Sequence, residues 1–270
     1  MTKKIISKFC FLFVFLFLYT PIFVVIAFAC NKTKSRTVFS GFTLKWFVEL
    51  FKDKTILTAF FNSLILASVS SIIATVIGTF AALEISKFKK NKQNLFTSIN
   101  YIPILNSDVI TGVSLMLLLK FILNILNKEF GFITVLIAHI TIAMPYVVLT
   151  ILPKLRQIEP NIIDAALDLG CSFNMVFFKV ILPNIAPSII GAIMLSFSVS
   201  FDDFTVSYFT TSGSFQTLPV LIYSMVRRRI TPKINALFAL IFLLALLCLI
   251  LINILNINSK KLKENNKFIF

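Results

Sequence analysis

The chain has 270 residues, of which 58% are hydrophobic and only 14% charged, and its mean hydropathy is +0.94. Soluble domains carry roughly a quarter charged residues, so this composition excludes an ordinary water-soluble domain and calls for a bilayer as solvent. The formal net charge of +15 does not point to nucleic acid, because the Lys and Arg lie in loops and tails between apolar runs, the pattern of membrane topology and surface contact. Cys10, Cys30, Cys171 and Cys248 are scattered without disulfide or metal-ligand spacing and read as unpaired thiols. No metal or other cofactor is expected.

A helix needs about 20 apolar residues to cross the hydrocarbon core. Six stretches meet or approach that length, at 9–29, 58–84, 102–125, 132–152, 187–210 and 234–257. The fold class expected is therefore an all-α membrane protein with six transmembrane helices. Lys3, Lys4 and Lys8 precede the first span and Lys260, Lys261, Lys263 and Lys267 follow the last, which places both termini in the cytoplasm. The basic run KFKKNK after the second span falls inside as well, as does the segment 153–186. Against the rule stand Lys32, Lys34, Arg36, Lys45, Lys52 and Lys54 in the first outer loop and Arg227, Arg228 and Arg229 in the last. The AFAC run at 27–30 has the look of a lipoprotein signal, but its apolar run of about 21 residues exceeds a typical signal core. An ordinary first transmembrane helix is the expectation.

Between the fourth and fifth spans lies PNIIDAALDLGCSFNMVFFKVILP, residues 160–183. Pro160 suits the first turn of a helix, and Gly170 suits the left-handed residue just past its end. Ile162, Ala165, Ala166 and Leu169 recur at helical spacing on one face, while Asp164 and Asp168 share another. Two carboxylates at that spacing cost a helix a few tenths of a kcal/mol, which makes sense if they face a basic partner or a hydrogen-bond donor. Ser172 is placed to cap a second helix, with Pro183 closing it before the fifth span. A short basic loop would suffice to join two spans, so this insert reads as a docking element.

The insert resembles the EAA loop of ABC importer permeases. The family pattern is E-A-A, three residues, G, nine residues, I-x-L-P. Here it stands as Asp164-Ala165-Ala166, Gly170 and Val180-Ile181-Leu182-Pro183, with Asp for Glu and Val for Ile. The resemblance implies the type I importer permease fold, with cytoplasmic coupling helices carrying Asp164, Ala165, Ala166, Gly170, Leu182 and Pro183. It also implies two copies of an ATP-binding ABC subunit beneath, a second permease forming a heterodimer, an extracytoplasmic substrate-binding protein, and a bacterial plasma-membrane location. Residues 194–237, which include SFDDFTVSYF and LPVLIYSM, are similar to the C-type permease of spermidine/putrescine importers, as is YIPILNSDVITGVSLMLL at 101–118, where Ser107 and Asp108 replace that family's second Pro and its Glu. The implied organisation is a first helix and outer loop over 1–57, a permease transmembrane domain over 58–257 and a basic tail over 258–270.

The residues give the substrate class independent support. Asp108, Asp202 and Asp203 fall at or inside the ends of apolar spans, where an acidic side chain normally faces a cavity or a partner. Ser107, Thr111, Ser198, Ser200, Thr205, Ser207 and Tyr208 stand near them as candidates for lining a hydrated path. Carboxylates beside Phe201, Phe204 and Tyr208 suit a linear polycation through charge pairing and cation–π contact. The alternative is that these acids pair with Lys or cap helix ends. Glu84 reads as an interfacial anchor, and His139, the sole histidine, as a hydrogen-bonded helix contact. No phosphate-binding loop or nucleophile elbow occurs in the sequence, so a transport subunit is expected rather than an enzyme. Competing readings are an importer of another solute, such as an amino acid or an anion, an ion-coupled secondary transporter, and a membrane-embedded enzyme or assembly factor.

Overall fold

The computed structural model describes residues 2–33, 38–213, 215–228, 232–243 and 246. The chain divides into two compact units, Met1–Leu57 with Ile222–Phe270, and Thr58–Leu221.

In the first unit, α1 (Thr2–Ala29) is almost wholly apolar from Phe9 onward and exposes large residues such as Phe9, Phe11, Phe13, Phe17 and Phe23. A polar knot follows it. Asn31 Nδ2 donates to the Val38 carbonyl at 2.8 Å, the Ser40 amide donates to Asn31 Oδ1 at 2.9 Å, and Trp46 Nε1 donates to the Asn31 carbonyl at 2.8 Å. Trp46 lies on α2 (Lys45–Lys52), a short amphipathic helix that buries Trp46 and Leu50. Asp53 then caps the start of α3 (Lys54–Lys87), its Oδ1 accepting the amides of Thr55 at 3.0 Å and Ile56 at 3.4 Å. Its other oxygen pairs with Lys233 Nζ, on the helix Pro232–Leu243. The Lys233 ammonium, seconded by those amides, holds the Asp53 carboxyl below its usual range against the opposing effect of burial.

The second unit continues α3 and adds α4 (Lys90–Leu105), α5 (Asp108–Leu126), α6 (Phe132–Leu155), α7 (Pro160–Asp168), α8 (Phe173–Val176), a π-helical turn (Phe177–Ile181), α9 (Leu182–Phe201), α10 (Thr205–Thr210) and the start of α11 (Leu218–Arg228). Its core is a packed cluster that includes Ala74 and Ala82 from α3, Ala143, Val147 and Ile151 from α6, and Ile185 and Ala192 from α9. Lipid is as apolar as these side chains, so close contact rather than water exclusion holds them, and small residues permit it. Gly78 shows how close. A Cβ there would stand 2.7 Å from Val147 Cγ1. Asn100 Nδ2 adds a polar tie from α4, donating at 3.0 Å to the carbonyl of Pro145 within α6.

Among the described residues, five helices are long and apolar enough to cross a membrane: Ser7–Ala29, Lys54–Lys87, Asp108–Leu126, Phe132–Leu155 and Asn174–Phe201. Three expectations change in detail. The third span is not continuous over 102–125: the backbone is extended at Asn106 and Ser107, and a new helix starts at Asp108. Asn, Ser and Asp in sequence offer the backbone side-chain partners outside a helix, and Pro103 has already removed one helical donor. The fifth span starts before 187 and stops at Phe201, with α10 a separate helix.

Pro183, expected to close a helix, sits in the first turn of α9, and the helix runs through it from Asn174. The π-turn accounts for this. Its wider winding lets the Leu182 amide donate to the Phe177 carbonyl five residues back, so the donor that Pro183 lacks falls where the hydrogen-bond register is already shifted. Of the sixth expected span, 234–257, the helix through Leu243 and residue 246 are described. The rest of it, and the tail 258–270, lie outside the described residues.

Candidate functional site

Two features of the second unit lie at opposite ends of α9. At its N-terminal end is the insert. The α7 helix begins with Pro160 in its first turn and ends in a Schellman turn: the Cys171 amide donates to the Ala166 carbonyl at 3.1 Å and the Gly170 amide to the Leu167 carbonyl at 2.9 Å. Gly170 has φ +82°, the left-handed conformation its position demands. Ala166 and Cys171 pack on the core cluster and anchor the turn. The expected apolar face does not pack as a whole against this chain: Ile162 is 48% exposed and Leu169 85% exposed, and Ala165 is exposed too. Asp164 and Asp168 are exposed and make no ion pair among the described residues. The helix of nine residues thus leaves much of its apolar face and two carboxylates exposed. Leu182 and Pro183 stand in the stem that carries this surface into α9.

At the C-terminal end of α9, about 30 Å away at 1.5 Å per residue, is a cavity of about 350 Å³. Its lining brings together Asp108, Asp202 and Asp203, with Thr111, Tyr146 and Phe204 beside them. The three acids, 95 residues apart at the extremes (from 108 to 203), thus converge on one cavity. Their surroundings differ. Asp108 is in the first turn of α5, where the exposed amides of a helix start favour a negative charge. Asp203 caps α10, accepting the Val206 amide at 3.3 Å and the Ser207 amide at 2.8 Å. Asp202 is at the C-cap of α9, the end whose carbonyls disfavour an anion by typically about 0.3–1 kcal/mol. Its carboxylate meets no donor from another residue among those described, and it is exposed. Carbonyl dipoles and carboxylate at this point both favour a cation.

Other side chains fall differently. Thr111 and Thr205 line the cavity, while Ser200 and Ser207 are buried away from it. Tyr208 is not part of the lining; it is 45% exposed and stands behind Phe204, ring centroids 5.5 Å apart. Tyr146 and Pro103 were not anticipated on this wall, since no sequence signal sets them apart from other residues of apolar helices. His139 is fully buried and hydrogen-bonded between helices, as expected for it. The short helix α10 is held on two sides. A Cβ at Gly112 of α5 would approach Phe209 Cδ2 to 3.0 Å, and Thr134 Oγ1 of α6 donates to the Thr210 carbonyl at 3.1 Å.

Membrane-length helices with an acidic cavity at one end of α9 and an exposed helical insert at the other fit a transport permease. Residues 74–264 match the family described as the inner membrane component of binding-protein-dependent transport systems, and the chain belongs to that family. It is a multi-pass plasma-membrane transport subunit, not an enzyme. Among curated relatives, the putrescine transport system permease protein PotI of Escherichia coli K12 is 35% identical over 227 residues, covering 83% of this chain and 81% of that protein. The spermidine/putrescine permease PotC of Haemophilus influenzae is 31% identical over 220 residues, covering 82% and 84%. The bacterial transporter that imports the acidic polysaccharide alginate has a chain of the same fold, with a TM-score of 0.66 at 17% identity, covering 93% of this chain and 96% of that one. A second structure of an alginate transporter, in complex with a periplasmic protein bound to an alginate pentasaccharide, gives a TM-score of 0.67 at 16% identity.

Proposed function

We propose that this chain is the polyamine-translocating permease of an ABC importer, with residues 58–257 as its transmembrane domain and both termini cytoplasmic. The observation that carries the substrate class is the cavity where Asp108, Asp202 and Asp203 meet, with Asp202 unpartnered at a helix C-terminus. A spermidine or putrescine ammonium placed there neutralises the one acid that helix geometry leaves unsupported, and Phe204, backed by Tyr208, offers an aromatic wall. The names of the relatives agree with this class. The lining holds three carboxylates and no Lys or Arg to receive an anion, which weighs against that alternative cargo.

The insert is the proposed attachment point of the motor. Asp164, Ala165, Ala166 and Gly170 form the coupling helix, which enters a groove on one of two ATP-hydrolysing subunits. Leu182 and Pro183, at the root of α9, join that helix to the same rod that ends at the acidic cavity. A second permease completes a heterodimer, and a substrate-binding protein delivers cargo from outside. ATP-driven closure of the two ATPases would then move α7 and, through α9, the cavity wall in an alternating-access cycle. The test is uptake of labelled spermidine by the assembled importer: Asp202→Asn is expected to abolish it with assembly intact, and unchanged uptake would remove the cavity from the path.

A further inference from the structure

His139 is fully buried on α6, and both of its ring nitrogens are engaged. Nδ1 lies 2.6 Å from Ser200 Oγ on α9, and Nε2 lies 2.9 Å from Ser207 Oγ on α10. Ser200 Oγ lies 2.9 Å from Ser70 Oγ on α3, and all three serines are buried. Nε2 also faces Asp203 Oδ2 at 3.6 Å. Three helices, α6, α9 and α10, therefore meet at one imidazole, and α3 joins them through Ser200.

Asp203 sets the direction of every hydrogen bond in this chain. A ring nitrogen presenting its lone pair to a carboxylate oxygen at 3.6 Å is repelled, and one presenting N–H is attracted, so the proton belongs on Nε2. Nδ1 is then an acceptor, and the Ser200 hydroxyl donates to it. That uses the only hydroxyl proton of Ser200, so the Ser70 hydroxyl donates to Ser200 Oγ. The polarity runs one way, from Ser70 through Ser200 and His139 to Ser207, whose hydroxyl donates in turn to the Asp203 carboxylate. Aligned hydrogen bonds in a dry interior reinforce one another.

We propose that His139 is a positioning residue for the acidic cavity. As the Nε2–H tautomer it ties α10 and the Asp203 carboxylate to α6 and α9, and so fixes the turn on which Asp202 is presented. It touches no substrate, being fully buried and absent from the cavity lining. This rests on the cavity serving as the cation path.

The chain has a single histidine. Labelling this chain with 15N-histidine and assembling it with unlabelled partner subunits in nanodiscs therefore gives one pair of ring resonances. The Nε2–H tautomer is expected at neutral pH, and the Nδ1–H tautomer or an imidazolium overturns the assignment. The functional arm measures spermidine uptake by the full importer in proteoliposomes against the concentration of loaded binding protein. His139→Leu is expected to raise the half-saturating concentration about tenfold, the effect of losing one hydrogen bond of the charge-linked kind, and Ser207→Ala, which also removes the hydroxyl bonded to Asp203, by at least as much, with the maximal rate within about twofold for both. His139→Gln, which retains a donor and an acceptor, is expected to stay within about threefold of the parent. Equal half-saturation in all variants overturns the proposal, and if His139→Leu fails to assemble, Ser207→Ala decides alone. Unchanged uptake by Asp202→Asn with the tautomer as assigned fails the path reading, and the functional half of the proposal with it. Loss of uptake by Asp202→Asn together with an Nδ1–H tautomer fails the histidine assignment alone.

Discussion

Gly170 offers the sharpest perturbation of the coupling helix, because its cost can be worked out from the backbone. Its φ is +82°, and an added Cβ would meet no atom within 4 Å, so a substitution there acts through conformation and not through a clash. Gly170→Ala costs about 1–2 kcal/mol for a left-handed L-residue, partly offset by about 0.4–1 kcal/mol from the stiffer unfolded chain. Gly170→Pro is more severe. It demands φ near −65° and deletes the amide that donates to the Leu167 carbonyl at 2.9 Å. A cost of about 3 kcal/mol corresponds to a shift of roughly a hundredfold in the local equilibrium of α7. A helix of nine residues has little stability of its own with which to absorb that loss. A partner that binds only the formed helix loses apparent affinity by up to the same factor. The assay is co-purification of the ATPase subunit with the permease, alongside uptake, with membrane abundance of the permease as the control. Gly170→Pro is expected to lose both while abundance holds, and Gly170→Ala to retain most of each. Full co-purification and uptake with Pro at 170 would refute the argument that this turn forms the docking surface.

Other outcomes follow from the same geometry. The neutral substitution Asp203→Asn should weaken the α10 cap and lower the thermal stability of the purified protein, whereas Asp202→Asn should leave stability unchanged and abolish uptake; the two are separated by a melting curve beside an uptake assay. Gly78→Leu should destabilise the bundle by about 1–3 kcal/mol or more through overpacking, since Val147 Cγ1 already lies 2.7 Å from the Cβ position; a variant that melts at the parent temperature contradicts that packing. The pair of Asp53 and Lys233 makes the first unit acid-sensitive. Asp53 has a folded pKa lowered chiefly by its hydrogen bond to Lys233, so its contribution is present above the unfolded pKa of roughly 3.9 and is lost as pH falls through the folded value. Proteolysis of the loop after α1 should increase in that acid window for the parent, and Asp53→Asn should show the increase already at neutral pH.

Much of the architecture was legible because lipid imposes long apolar runs, and the insert was legible because Pro160 and Gly170 mark its first helix at both ends. The break at Asn106 and Ser107 was hidden inside an apolar stretch that reads as one span when taken by length alone. Pro183 misled for a related reason: a proline closes a helix whose hydrogen bonds are in α register, and nothing local announces the π-turn that admits it. The acids of the cavity stood out because a carboxylate is rare in an apolar helix. Their division of labour did not, since whether an aspartate caps a helix start or opposes a helix end depends on where the helix breaks. The Ser70, Ser200, His139 and Ser207 chain lies between residues 61 to 130 positions apart, and serines in apolar helices carry no mark of their partners.

Carriage of polyamines through the acidic cavity under ATP is the proposed activity of this permease. Proteoliposomes containing the complete importer, loaded inside with ATP and supplied outside with the binding protein and labelled spermidine, test it directly. ATP-dependent uptake is expected that unlabelled putrescine or spermidine competes away, that amino acids and anions leave unchanged, and that Asp202→Asn abolishes. Uptake that ignores polyamine competitors, or that survives Asp202→Asn at the parent rate, would contradict it.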